Sequence, residues 1–153
     1  MFPETKMSEE TLTGRQIFIG FAGPCGKIRL LQGLITFEKF QEIDLYWLNN
    51  IEPSAEFLEE CFPDAVKSYK EFCKKQGFEY NWSVTSVLNY WRYGHDEAQG
   101  HFGDCEVRLL TVLSIKGEIV DVGLKYPVKN RVNIPLTPGD LVLVHHRNIA
   151  IKI

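Results

Sequence analysis

The chain has 153 residues, 44% of them hydrophobic, which suffices for one ordinary domain or for two small modules sharing a core. A net charge of −3 excludes a dedicated nucleic-acid binder, because neutralising phosphates takes a clustered Lys/Arg surface, and the nearest basic run (Lys125, Lys129, Arg131) is diluted by Pro127 and Val128. No apolar run approaches the ~20 residues of a membrane helix, and the acidic opening MFPETKMSEETLTG lacks the pattern of a signal peptide, so a cytoplasmic location is expected.

Ser8 is the expected N-cap of a first helix that packs Leu12, Ile17, Phe18, Ile19 and Phe21 on a partner. GFAGPCGK at 20–27 is expected to stop it, since three glycines and a proline fall within seven residues, and residues 28–35 to form a short helix. Thr36 caps a helix whose Phe37, Phe40, Ile43, Trp47 and Ile51 make a helical stripe ending at Pro53. Ser54 caps AEFLEECF, and Pro63-Asp64 opens AVKSYKEFCKKQ, which closes at Gly77 as a left-handed C′ residue. Asn81 or Ser83 caps SVTSVLNYWRY, ended by Gly94, and five helices with short connections then make an α-helical module over residues 8–94.

After Gly100 the pattern becomes that of strands. CEVRLLTVLSI is a first strand, Lys116-Gly117 a turn, EIVDVGLKY a second strand, Lys129–Ile134 a third, and DLVLVHHRNIAIKI a fourth that bends or splits near Arg147. Strands this short and evenly spaced favour a small closed barrel over residues 105–153, because a lone sheet of this size would expose its edges. The fold class expected is therefore α+β, a helical module followed by a small OB-like β-barrel.

The four cysteines, Cys25, Cys61, Cys73 and Cys105, are expected to be reduced thiols, and with no CxxC pair they do not make a zinc knuckle. Cys73 shares a helical face with Val66, Tyr69 and Phe72, and Cys25, Cys61 and Cys73 are expected to lie outside any metal site. GPCG at 23–26 lacks the residues of a phosphate loop and reads as a tight turn between helices. Trp82, Tyr90, Trp91 and Tyr93 read as core aromatics. The segment YGHDEAQGHFGDC holds His95, Asp96, Glu97, His101, Asp104 and Cys105, a density of ligand types whose spacing matches no established site and which reads as a polar linker. Cys105 with one of His95, His101, His145 or His146 leaves a Cys–His nucleophile open as a third functional class.

CEVRLLTVLSI followed by PGDLVLVHHRNIAI resembles the HypC/HupF family of [NiFe]-hydrogenase maturation chaperones, small OB-like barrels whose leading cysteine starts the first strand and whose GDYVLVHxGFAI-like segment closes the barrel. The match covers about a third of the chain; Leu109-Leu110-Thr111 replaces the family's Pro-Gly-Lys, and the cysteine is internal. The resemblance implies a non-catalytic accessory protein with Cys105 and His145 as binding and metal-ligating residues and with an iron centre carried transiently. It also implies a protein partner, a hydrogenase maturation factor or large subunit; charge and hydropathy lead to the expectation of no nucleic acid and no membrane. A thiolate suits low-spin iron and an imidazole can ligate beside it. The helical part, through GFAGPCG and LNYWRYG, resembles an uncharacterised family. The alternative is a small-molecule or protein-binding domain whose barrel is purely structural.

Overall fold

Capping chemistry sets most of the helix boundaries in the computed structural model, which describes residues 12–99 and 105–153. Helix α1 (Gly14–Ala22) starts in a reciprocal capping box: the Thr13 hydroxyl accepts from the Gln16 N–H at 3.2 Å and the Gln16 side chain accepts from the Thr13 N–H at 2.8 Å. Thr13→Ala is expected to lower unfolding free energy by ~1 kcal/mol in a urea titration, with an unchanged slope. Ser8, the cap expected from the sequence, lies outside the described residues. Thr36, Ser54 and Ser83 each accept an N–H bond at the start of α3 (Phe37–Leu48), α4 (Ala55–Cys61) and α6 (Val84–Asn89). Pro63 opens α5 (Pro63–Gln76), and Gly77 ends it with φ at +75°.

Two glycine segments expected to break helices instead carry them on. Past Ala22 the chain turns through one 3-10 turn, Gly23–Cys25, directly into α2 (Gly26–Leu31), with Gly23 and Gly26 both right-handed. Gly23 is needed because a Cβ there would sit 2.6 Å from the Trp47 ring, so the glycine is a packing contact with α3. Gly94 behaves the same way: α6 widens into a π turn over Tyr90–Gly94 and continues as α7 (His95–Gln99), and a Cβ on Gly94 would collide with the Phe72 ring. The helical region therefore runs through Gln99.

The aromatics form the helical core. Tyr90 and Trp91 are buried, Phe18 meets Trp82 and Trp91 edge-on at 5.2 Å each, and Phe21 stacks flat on Trp91 at 5.0 Å. Cys61 and Cys73 are fully buried in the same core.

The C-terminal part is a curled six-stranded sheet in the order β1-β5-β6-β4-β3-β2, in which only β4 and β6 are parallel. Its strands are β1 (Arg108–Thr111), β2 (Ser114–Lys116), β3 (Ile119–Asp121), β4 (Val128–Lys129), β5 (Leu141–His145) and β6 (Asn148–Lys152). The first expected strand is divided at Val112-Leu113, where one N–H donates to the Asp140 carbonyl and the next to the Asp121 carbonyl. These two residues join β1 and β2, the two ends of the strand order, so the sheet curls into a half-barrel around Val112, Val120, Val122, Val128, Val142, Val144 and Ile149. The third expected strand shrinks to β4, because the Asn130 side chain closes its own loop, donating to the Ile134 carbonyl and accepting the Ile134 N–H. The fourth divides into β5 and β6 at His146-Arg147, both with positive φ, in a two-residue hairpin.

Period-two alternation then joins the two parts. Along β5, Val142 and Val144 fill the half-barrel while Leu143 faces the helices with Ile151 of β6. Residue 145 falls on the same face as Leu143, which sends the last side chain of β5 under α1.

Candidate metal centre

His145 is 1% exposed, so it lies between the sheet and the helices rather than at the barrel surface. Its Nδ1 is 2.6 Å from the Phe21 carbonyl oxygen in the last turn of α1. A carbonyl only accepts, so Nδ1 carries the proton and Nε2 the lone pair. That Nε2 is buried without a hydrogen-bond partner. Burial, reinforced by His146 and His95, pushes the pKa of His145 down to about 3 against the opposing pull of the Phe21 and Cys105 carbonyls. The imidazole is thus neutral, with its Nδ1–H held by the Phe21 carbonyl.

His95, first residue of α7 after the π turn, is 5% exposed and stacks on Trp91 at 4.7 Å. Its Nδ1 lies 2.9 Å from Asp96 Oδ1, and the Asp96 carboxylate also accepts the Val107 N–H at 3.1 Å. Burial lowers the His95 pKa, with Asp96 opposing. A carboxylate holding Nδ1 leaves Nε2 as the free nitrogen, the arrangement that orients ligating histidines. Asp96 thereby ties α7 to the backbone leading into β1, where Cys105 stands.

The ligand atoms of His95, Cys105 and His145 lie within 4.8 Å of one another. Those of Cys25, His145 and His146 do so as well. The structure thus brings Cys105 and His145 together, and adds His95 from a segment that reads as linker in the sequence. Cys25, which the sequence reading places outside any metal site, also lies in one of these clusters, because the continuous turn of GPCG presents it just before α2, facing the β5–β6 hairpin. Cys61 and Cys73 take no part. His101 and Asp104 lie outside the described residues.

His146 is the first residue of the two-residue hairpin turn. Its φ is +49°, the left-handed conformation that this turn imposes on both His146 and Arg147 and that histidine adopts more readily than most side chains. The ring lies 4.6 Å from that of His145. Cys25, His95, Cys105 and His146 line a cleft of about 350 Å³, with Arg29 and Phe62 among its other walls.

Both thiols are held protonated. Burial, with the neighbouring Cys105, pushes Cys25 up to about 12 against Arg29; burial and Asp96 raise Cys105. A nucleophilic cysteine needs the opposite shift. A metal ion supplies it, because coordination expels the thiol proton. Neutral oriented imidazoles beside soft thiol ligands fit a thiophilic transition ion. Among the described residues no helix is long and apolar enough to cross a membrane. No family model, curated protein or solved structure matches this chain.

Proposed function

We propose that this chain is a metal-binding accessory protein that holds one thiophilic transition ion on His95, Cys105 and His145, with no catalytic role of its own. The observation that carries this is His145: a fully buried imidazole whose Nδ1 is locked on the Phe21 carbonyl, whose Nε2 has no partner, and whose neighbours are another oriented imidazole and a thiol. A buried unsatisfied nitrogen costs about 1–3 kcal/mol, which an ion in that position repays. Within this proposal the half-barrel is OB-like, the protein is a chaperone of [NiFe]-hydrogenase maturation as the HypC/HupF resemblance implies, the ion is iron in transit, and the partner is a maturation factor or the hydrogenase large subunit.

The test is cobalt(II) titration of the purified chain. Thiolate-to-cobalt charge-transfer absorption is expected to saturate at one equivalent in the wild-type protein, to need a large excess of cobalt in Cys105→Ser, and to disappear in His145→Asn, the residue common to both clusters. No such absorption in the wild-type protein, or absorption that survives Cys105→Ser and His145→Asn alike, overturns the proposal. The maturation role is tested by capture from the native host with iron analysis of the eluate: co-capture of a hydrogenase maturation protein with iron supports it, and iron-free eluate without such a partner refutes it.

Asp96→Asn leaves the three ligands in place but removes the charge that orients His95. Cobalt affinity is expected to fall roughly 10–100-fold. An unchanged affinity in competition with a chromophoric chelator would remove His95 from the ligand set.

A further inference from the structure

Resting on the metal-binding proposal, we infer that Cys25 and His146 form a second position for the same ion, so that the centre is a two-position site sharing His145. Each triad, His95–Cys105–His145 and Cys25–His145–His146, combines one thiol with two imidazoles whose ligand atoms lie within 4.8 Å of one another. Ligands held at ~2.0–2.3 Å from an ion are roughly 3.3–3.8 Å apart, so each triad closes on an ion with a side-chain adjustment of about 1 Å.

The shared residue makes the two positions exclusive. His145 Nδ1 is committed to the Phe21 carbonyl, and while that bond holds the imidazole has a single lone pair, on Nε2, to give to an ion. One ion at a time can use it. Filling both positions together would require His145 to bridge as an imidazolate and to give up the Phe21 bond.

The two histidines also differ in access. His95 is 5% exposed and braced by Asp96, whereas His146 is half-buried at the tip of the β5–β6 hairpin and faces the cleft beside Cys25 and Arg29. The left-handed backbone of the hairpin turn places the His146 imidazole at the cleft. An ion passes between the positions by ligand exchange on His145. The Cys25–metal bond forms as the Cys105–metal bond breaks, the Cys25 proton goes to the Cys105 sulfur, and His146 replaces His95. No electron changes hands. Cys25, His95, Cys105 and His146 all line the cleft, so an acceptor there can take the ion as it changes ligands, which suits a carrier better than a storage site.

The test compares the full chain with Cys25→Ser and His146→Asn, the second chosen because asparagine tolerates the left-handed backbone. Each protein is loaded with cobalt(II), its affinity measured, and the transfer of cobalt to excess EDTA followed by stopped flow. Both variants are expected to bind one cobalt with affinity within a few-fold of wild type, and to release it at least ~10-fold more slowly. Two cobalt ions per chain overturn the two-position site. So does an unchanged release rate in both variants, and so does a loss of affinity in Cys25→Ser as large as in Cys105→Ser, which would mean that both thiols hold the ion together. A wild-type chain that takes up no cobalt fails the parent proposal as well, and is told apart from these outcomes by the titration alone.

Discussion

Gly14→Ala is expected to destabilise the protein by ~3 kcal/mol or more, and Gly20→Ala, six residues along the same helix, to stabilise it. Both positions lie in α1, where alanine is intrinsically favoured over glycine by about 1 kcal/mol in a helix interior. The difference lies in what a methyl group would meet. At Gly14 it would drive into the Trp82 backbone carbonyl, just ahead of α6, and a backbone atom cannot swing away as a side chain does. Relief requires α1 and α6 to separate, which loosens Phe18 from Trp82 and Trp91. At Gly20 the nearest atom is the Ala150 carbonyl oxygen at 3.6 Å, an ordinary contact. Thermal melts should show Gly14→Ala about 6–12 °C below wild type, at roughly 2–4 °C per kcal/mol for a chain of this size. Equal melting temperatures for the two variants would mean that α1 does not cross α6 as closely as the structure places it.

The second large effect is acid sensitivity of the metal-free protein. His145 titrates near 3 in the folded chain, while an imidazole in the unfolded chain titrates near 6.5. Above ~6.5 both states are neutral and His145 adds no pH dependence. Below it the unfolded state binds the proton and the folded state does not, so stability falls as pH falls, by up to ~1.4 kcal/mol per unit until about pH 3. The groups around the ring agree with this sign: His95 and His146 repel a second positive charge, and His95 is itself lowered. Asp140 and Glu52 have lowered pKa values and also lose stability in acid, but only below the ordinary carboxylate range near 4. The interval from pH 6.5 to 5 therefore belongs to the histidines. Urea titrations of chelator-treated protein should show a loss of ~2 kcal/mol between pH 7 and 5, much of it absent in His145→Asn, which can still donate to the Phe21 carbonyl. A wild-type protein equally stable at both pH values would show that His145 is not sealed beneath α1.

Much of the local structure is written in the sequence because caps and turns act within a few residues. Thr36, Ser54 and Ser83 accept from an N–H three residues on, and Gly77 ends α5 because it alone takes a left-handed φ cheaply, so each can be read without knowing the fold. The change from helical to alternating periodicity locates the sheet for the same reason. Alternation even puts residue 145 on the face of Leu143, although it does not say what covers that face.

The tertiary structure decided what depends on close approach between distant segments. Gly23 and Gly94 look like helix breakers in isolation, yet both are helical, and their lack of a side chain matters only because Trp47 and Phe72 come to rest against them. Continuing the helix through GPCG is also what puts Cys25 beside the β5–β6 hairpin. Phe21 and His145 are 124 residues apart, and no periodicity connects a helix carbonyl to a strand-end imidazole at that distance. Sequence supplied the ligand types. Burial supplied the neutral imidazoles, the protonated thiols and the orphan Nε2, because desolvation is a property of the packed chain and not of its residues taken singly.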